Sequence, residues 1–237
     1  MHRTLLLFDI DGTLVLTGGA GIRGMLRAFE EVFGPAPDAD SISMAGRTDA
    51  WVIRALAAAC GVEPTPADLL TFRDAYLKRL PVELQKPGPR KGIMPGVREL
   101  LEALVVRPDM HLALLTGNYE RAARAKLEYF DLWRYFVGGA FGDDAVDRNH
   151  LFHQALAAAS VLGGRIDHTR RAIVIGDTPF DIACARHGGG RSIGVATGGH
   201  TLDELRAAGA DSVFEDLTDT GAVVFEIERL AREASHA

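Results

Sequence analysis

Two carboxylates follow the first apolar run of the chain, two residues apart. The segment "TLLLFDIDGTL" places Asp9 and Asp11 directly after the apolar residues 4–8, and Gly12 and Thr13 come next. Carboxylates at this spacing repel each other, and a carboxylate beside an apolar strand loses hydration. A cation must therefore neutralise the pair, or the pair must take part in a reaction.

Polar side chains also follow three later apolar runs. They are Thr116, Gly117 and Asn118 in "LLTGN", Arg148 after "VGGAF", and Asp177 with Asp181 in "GDTPFD". In an open α/β sheet, ligands bind beyond the carboxyl ends of the strands, where such residues meet. The sequence therefore predicts that these groups converge with the two N-terminal acids.

Short apolar runs alternate with helical patterns along most of the chain. The predicted strands are residues 4–8, 111–116, 137–141, 172–176, 192–197 and 211–215. Several of these runs are apolar at every position, which is typical of a parallel sheet covered by helices on both faces. We therefore expect an α/β fold with a doubly wound, Rossmann-like core.

Residues 17–92 interrupt this alternation with successive helical patterns and no convincing strand. The interruption begins at "TGGAG" (17–21) and ends at "KPGPRKG" (86–92), two segments whose glycine and proline favour turns and hinges. We expect an all-helical domain over residues 17–92, inserted into a core domain that is formed by residues 1–16 and 93–237.

Composition limits the classes of partner. The net charge of the 237-residue chain is −6, which argues against a nucleic-acid-binding protein. No apolar stretch reaches the length of a membrane span. Cys60 and Cys184 lack a CxxC or metal-ligand spacing and are predicted to be buried thiols, as in a reducing compartment. We expect a cytoplasmic protein, monomeric or homodimeric, without a nucleic-acid or membrane partner.

Four segments resemble, in order and spacing, the motifs of the haloacid dehalogenase superfamily. They are "DIDGT", "LLTGN", a basic residue before a late core helix, and "GDTPFD". The helical insertion is similar to the C1-type cap of this superfamily, and the resemblance extends over nearly the whole chain. It implies a Mg²⁺-dependent hydrolase similar to phosphoglycolate phosphatase, acting on a small phosphorylated metabolite.

The resemblance also implies roles for the acids. Asp9 would attack phosphorus to form an aspartyl-phosphate, and Asp11 would protonate the leaving oxygen and then activate water. The Asp9 side chain, the Asp11 backbone carbonyl and Asp177 would hold Mg²⁺. Asp181 would orient a metal-bound water. Family members that lack the second acid are typically dehalogenases and phosphonatases, so Asp11 favours phosphoryl transfer.

The remaining motif residues would bind the phosphoryl group. Gly12 permits the tight turn that brings both acids inward, and its backbone also contributes to the phosphate site. The Thr116 hydroxyl and the neighbouring Gly117 and Asn118 groups would hydrogen-bond to the phosphoryl oxygens.

The third motif departs from the family pattern, because the usual lysine is replaced by Arg148 in "RNH". Arg148 can contact phosphoryl and Asp9 oxygens in bidentate fashion. The rival cation is Lys126, which lies eight residues after Asn118. That separation is about 12 Å along a helix axis, so Lys126 is expected to lie far from the reaction.

Substrate choice is expected to depend on "AGRTDA" (45–50), which resembles the loop that such caps lower over the active site. Arg47 could meet an anionic group of the substrate there. Alternatively, Arg47 and Asp49 form an ordinary first helical turn that faces water. Two other functions stay open, a β-phosphoglucomutase-like phosphomutase and a non-catalytic regulator that binds a phosphorylated ligand.

Overall fold

The computed structural model describes residues 3–38, 42–143, 147–161 and 169–233. In these ranges the strands are β1 (Thr4–Phe8), β2 (Val15–Leu16), β3 (Gly92–Ile93), β4 (Met110–Leu115), β5 (Gly139–Ala140), β6 (Ala172–Gly176), β7 (Arg191–Val195) and β8 (Ser212–Phe214). The helices are α1 (Ala20–Phe33), α2 (Asp49–Ala59), α3 (Pro66–Leu84), α4 (Val97–Val105), α5 (Glu120–Tyr129), α6 (Leu151–Val161), α7 (Pro179–His187), α8 (Leu202–Ala207) and α9 (Thr220–Glu233).

Six strands form one parallel sheet in the order β5-β4-β1-β6-β7-β8. All six lie where the apolar runs predicted them, and the doubly wound α/β fold is confirmed. β1 is central, since it pairs with β4 on one side and with β6 on the other. The ends of these three strands therefore lie side by side, as the convergence of their polar residues requires.

Both faces of the sheet are buried, and β1 shows why its sequence is apolar throughout. Leu6 and Phe8 pack into one core cluster with α4 and α9 residues, whereas Leu5 and Leu7 pack into a second cluster with α6 residues. Successive side chains of a strand point to opposite faces. An uninterrupted apolar strand is therefore what a sheet between two helical layers needs.

The helical insertion predicted after β1 consists of α1, α2 and α3, which share a core of their own. Phe29, Ile53, Leu56 and Phe72 are fully buried in it. Tyr119 and Ala122 also belong to this cluster although they lie in the segment after β4. The insertion is therefore packed against α5, next to the carboxyl ends of the strands. The division at residues 17 and 92 stays a prediction.

An antiparallel pair, β2 with β3, joins the two ends of the insertion. Val15 pairs with Ile93, and Leu16 pairs with Gly92. The sequence did not indicate these strands, because two residues are too few to show a periodicity.

One cysteine differs from its prediction. Cys184 is buried in α7, but Cys60 is exposed, because α2 ends at Ala59 and Cys60 lies in the turn that follows. The expectation of a buried thiol was therefore wrong for Cys60. Among the described helices none is long and apolar enough to cross a membrane.

Candidate active site

A cavity of about 430 Å³ lies between the carboxyl ends of the central strands and the helical insertion. All but one of the predicted site residues line it, namely Asp9, Asp11, Gly12, Arg47, Thr116, Gly117, Asn118, Arg148 and Asp177. The rival cation Lys126 also lines it. Asp181 lies just behind the wall, where it contacts Arg148. The structure thus brings the predicted residues together, while their roles stay predictions.

Three buried acids, Asp9, Asp177 and Asp181, form a cluster beneath this cavity. One carboxylate oxygen from each lies within 4.8 Å of the other two. Burial raises the pKa of Asp9 to about 6, although the Arg148 charge lowers it, and the neighbouring Asp181 and Asp11 raise it further. Burial and the charges of Asp181 and Asp9 raise the pKa of Asp177 well above its usual range. The single guanidinium of Arg148 therefore does not balance the three carboxylates of this cluster.

This donor set fits a hard divalent cation such as Mg²⁺, which prefers carboxylate oxygens and keeps several waters. A bound cation would lower the pKa of Asp9 and Asp177 by favouring their charged forms. The side chain of Asp11 lies outside the cluster and contacts Lys126. That the Asp11 backbone carbonyl holds the metal stays a prediction.

Arg148 links the acids and is itself buried. Its Nη2 lies 3.0 Å from Asp9 Oδ1 and also contacts Asp181. Nη1 donates to the Gly46 carbonyl at 3.2 Å and Nη2 to the Leu115 carbonyl at 3.3 Å. Burial lowers the pKa of Arg148, but the Asp181 and Asp9 charges outweigh it and raise the pKa overall. The guanidinium is therefore charged and fixed beside Asp9.

Lys126 corrects one expectation. It was expected to lie far from the reaction, yet its Nζ donates to both Asp11 oxygens, at 2.6 and 2.8 Å, and to Asn118 Oδ1 at 2.6 Å. The estimate from the helix rise counted residues along the chain, but it did not include the length of the lysine side chain or the direction of α5. Lys126 and Arg148 therefore each lie beside a different acid of the "DID" pair.

The turn after β1 depends on Gly12. Its φ of 89° is in the left-handed region that favours glycine. A Cβ at this position would lie 2.4 Å from Asp177 Oδ2, so a side chain would displace that acid. The Gly12 carbonyl accepts a hydrogen bond from Thr197 Oγ1 at 2.6 Å, and the Thr13 hydroxyl donates to Asp177 Oδ1 at 2.9 Å. The turn is thereby hydrogen-bonded to Asp177, the acid that follows β6.

The segment after β4 presents the predicted phosphate-binding groups. Asn118 Nδ2 donates to Thr116 Oγ1 and to Asp11 Oδ2, both at 2.8 Å. The Gly117 carbonyl accepts from the Asp49 amide at 2.7 Å, and Asp49 Oδ2 accepts from the Tyr119 amide at 2.8 Å. The first turn of α2 is thus hydrogen-bonded to this segment.

Asp49 is therefore not a solvated helix turn, as one of the two interpretations of "AGRTDA" had it. It is buried, and burial raises its pKa to about 7 against the Lys126 charge and the Tyr119 amide, which lower it. An acid in the first turn of a helix is ordinary. The sequence therefore carried no signal of this contact with the core.

Arg47 lies in the same loop and faces the cavity. Its guanidinium is placed between two rings, 4.5 Å from the centroid of Trp51 and 4.2 Å from that of Phe180. Its Nε is buried without a hydrogen-bond partner. Because Phe180 belongs to α7 of the core and Trp51 belongs to α2 of the insertion, Arg47 lies where the core and the insertion meet.

The chain is similar to known proteins over nearly its whole length. The family model described as haloacid dehalogenase-like hydrolase matches residues 6–195. A protein named "Probable phosphatase IndB" from Dickeya dadantii is 28% identical, over 97% of this chain and 96% of its own. A phosphoglycolate phosphatase from Agrobacterium fabrum is also 28% identical, over 94% of this chain and 92% of its own. A hydrolase structure from Pseudomonas syringae superposes with a TM-score of 0.66 at 25% identity, over 95% of this chain and 99% of that one.

Proposed function

Because the chain belongs to the haloacid dehalogenase-like hydrolases, we propose that it is a Mg²⁺-dependent phosphatase. It hydrolyses a small phosphorylated metabolite of the phosphoglycolate type through an aspartyl-phosphate on Asp9. The observation that carries this proposal is the contact of Asp9 with Arg148 at 3.0 Å, beside Asp177 and Asp181 and at the wall of a cavity.

Asp9 is the nucleophile in this mechanism. A carboxylate that approaches a phosphate ester meets a second anion, so its charge must be balanced. Arg148 supplies one positive charge to Asp9 and, as a planar guanidinium, can also donate a hydrogen bond to a phosphoryl oxygen. Attack forms the Asp9 Oδ–P bond while the bond from phosphorus to the leaving oxygen breaks.

Asp9 and Asp177 would hold Mg²⁺ together with the Asp11 backbone carbonyl, and Asp181 would orient a bound water. When bound, the ion supplies the positive charge that screens Asp9 from the phosphoryl oxygens. The Thr116 hydroxyl and the backbone amides of Gly117 and Asn118 hydrogen-bond to the same oxygens, where negative charge develops.

Asp11 acts as the general acid and then as the general base in this mechanism. Its side chain is 42% exposed and faces the cavity, where a leaving oxygen can reach it. Its carboxyl gives a proton to the leaving oxygen in the first step, which releases a neutral alcohol. The resulting carboxylate then takes a proton from the water that attacks phosphorus, which releases phosphate and restores Asp9.

Arg47 supports a substrate with a second anionic group. Its guanidinium faces the cavity and contacts two aromatic rings. Such a cation, with an Nε that has no partner, suits a carboxylate on the leaving group. Phosphoglycolate has this carboxylate, and it is the substrate named for the relative from Agrobacterium fabrum.

Phosphate release from a panel that includes 2-phosphoglycolate, phenyl phosphate and sugar phosphates tests the proposal. With Mg²⁺ we expect release by the wild type and by the control Asp203→Asn, which alters an acid that is 93% exposed. Chelator or Asp9→Asn should abolish release, and 2-phosphoglycolate should be preferred. Release that Asp9→Asn leaves unchanged, or no release by a folded protein, would contradict it. Isomerisation of a sugar phosphate without release would favour a phosphomutase.

A further inference from the structure

We propose that Lys126 is a positioning residue for Asp11. Each of the two catalytic carboxylates is then held by a cation of its own. Arg148 holds the nucleophile Asp9, and Lys126 holds the acid–base group Asp11. This inference rests on the proposed phosphatase function, and it concerns a residue outside the four motifs that the sequence resembles.

The contacts of Lys126 leave its ammonium no freedom. The side chain is 5% exposed. Its Nζ has three donors, and three acceptors surround it, the two Asp11 oxygens and Asn118 Oδ1, all within 2.8 Å. Because Asn118 Nδ2 also donates to Asp11 at 2.8 Å, the carboxylate is held from two directions.

The surroundings of Lys126 also fix its position. A Cβ added to Gly21 of α1 would lie 3.5 Å from Nζ and 3.7 Å from Cε, so α1 passes directly over the lysine tip. A buried ammonium is costly unless it is paired. Here its partner Asp11 stays open to the cavity, and a pair of this kind adds little net stability. The ion pair of Lys126 with Asp11 is therefore better explained by orientation of Asp11 than by a gain in stability.

The orientation of Asp11 by Lys126 assists both proton transfers of the proposed mechanism. When the Asp11 carboxyl gives its proton to the leaving oxygen, a carboxylate remains, and the Lys126 ammonium stabilises that charge as it forms. The same contact holds the carboxylate in the cavity for the second step, where it takes a proton from water. The described hydrogen bonds of Lys126 Nζ go to Asp11 and Asn118, and the Asn118 side chain in turn donates to Asp11, so Lys126 acts through Asp11.

A series of aryl phosphates of similar shape separates this role from a structural one. The p-nitrophenolate ion leaves without a proton, whereas phenol, whose pKa is about 10 like that of tyrosine, needs one. For Lys126→Met we expect single-turnover transfer from p-nitrophenyl phosphate to stay within about twofold of wild type. Transfer from phenyl phosphate should fall about tenfold or more, approaching the loss of general acid catalysis.

The control is Arg124→Met, which removes an exposed charge from the same helix α5 and should change neither rate. The retained p-nitrophenyl phosphate transfer by Lys126→Met shows that the variant is folded and that Asp9 still works. An equal fall with both esters, or no fall with either, would overturn the role of Lys126. Wild-type release that Asp9→Asn abolishes tests the phosphatase function separately.

Discussion

Asp49 shows how one buried acid can make stability depend on pH. Burial raises its pKa to about 7 from the ordinary value of 3.8. The native state therefore keeps a proton that the unfolded chain has already released, and stability falls as the pH rises from about 4 to about 7. At higher pH the native state contains a buried carboxylate, which the Lys126 charge stabilises only in part.

We therefore predict that Asp49→Asn, whose amide oxygen can still accept from Tyr119, gains stability over wild type as the pH rises. The gain between pH 5 and pH 8 should be about 2–3 kcal/mol, measured by urea unfolding with chelator present. Asp74→Asn, an exposed acid on α3, should show no such trend. A difference between Asp49→Asn and wild type that stays constant with pH would contradict this account.

At the scale of elements, the contact between α2 and the segment after β4 couples the helical insertion to the phosphate-binding groups. The backbones approach so closely that a Cβ on Gly117 would lie 2.2 Å from the Arg47 carbonyl oxygen. Backbone cannot swing aside as a long side chain can. Any side chain at position 117 must therefore push the loop with Arg47 and Asp49 away from the core.

We predict that Gly117→Ala lowers kcat/KM on the order of 100-fold, because a displacement of about 1 Å at a reacting site has that cost. Gly199→Ala is the matched control, since Gly199 also lines the cavity but a Cβ there meets nothing within 4 Å. It should keep wild-type rates with 2-phosphoglycolate. Equal rates for the two variants would show that the close backbone contact between Gly117 and Arg47 is unimportant for turnover.

For the whole molecule, the sequence predicted those features that depend on local pattern. The apolar runs located all six strands of the sheet, and the polar residues after β1, β4 and β6 predicted where the site lies. What it missed depends on tertiary geometry. Lys126 reaches Asp11 through the length of its side chain, and Asp49 is buried only because the insertion packs against the core.

The central claim is that a phosphoryl group passes through Asp9, and trapping it there is the most direct test. The protein is mixed with p-nitrophenyl phosphate and Mg²⁺, quenched in acid within one turnover, digested and analysed by mass spectrometry. We predict one phosphoryl group on the peptide that contains Asp9, and none on that peptide from Asp9→Asn. Phosphate release with an unmodified Asp9, or with the phosphoryl group on another residue, would contradict the account.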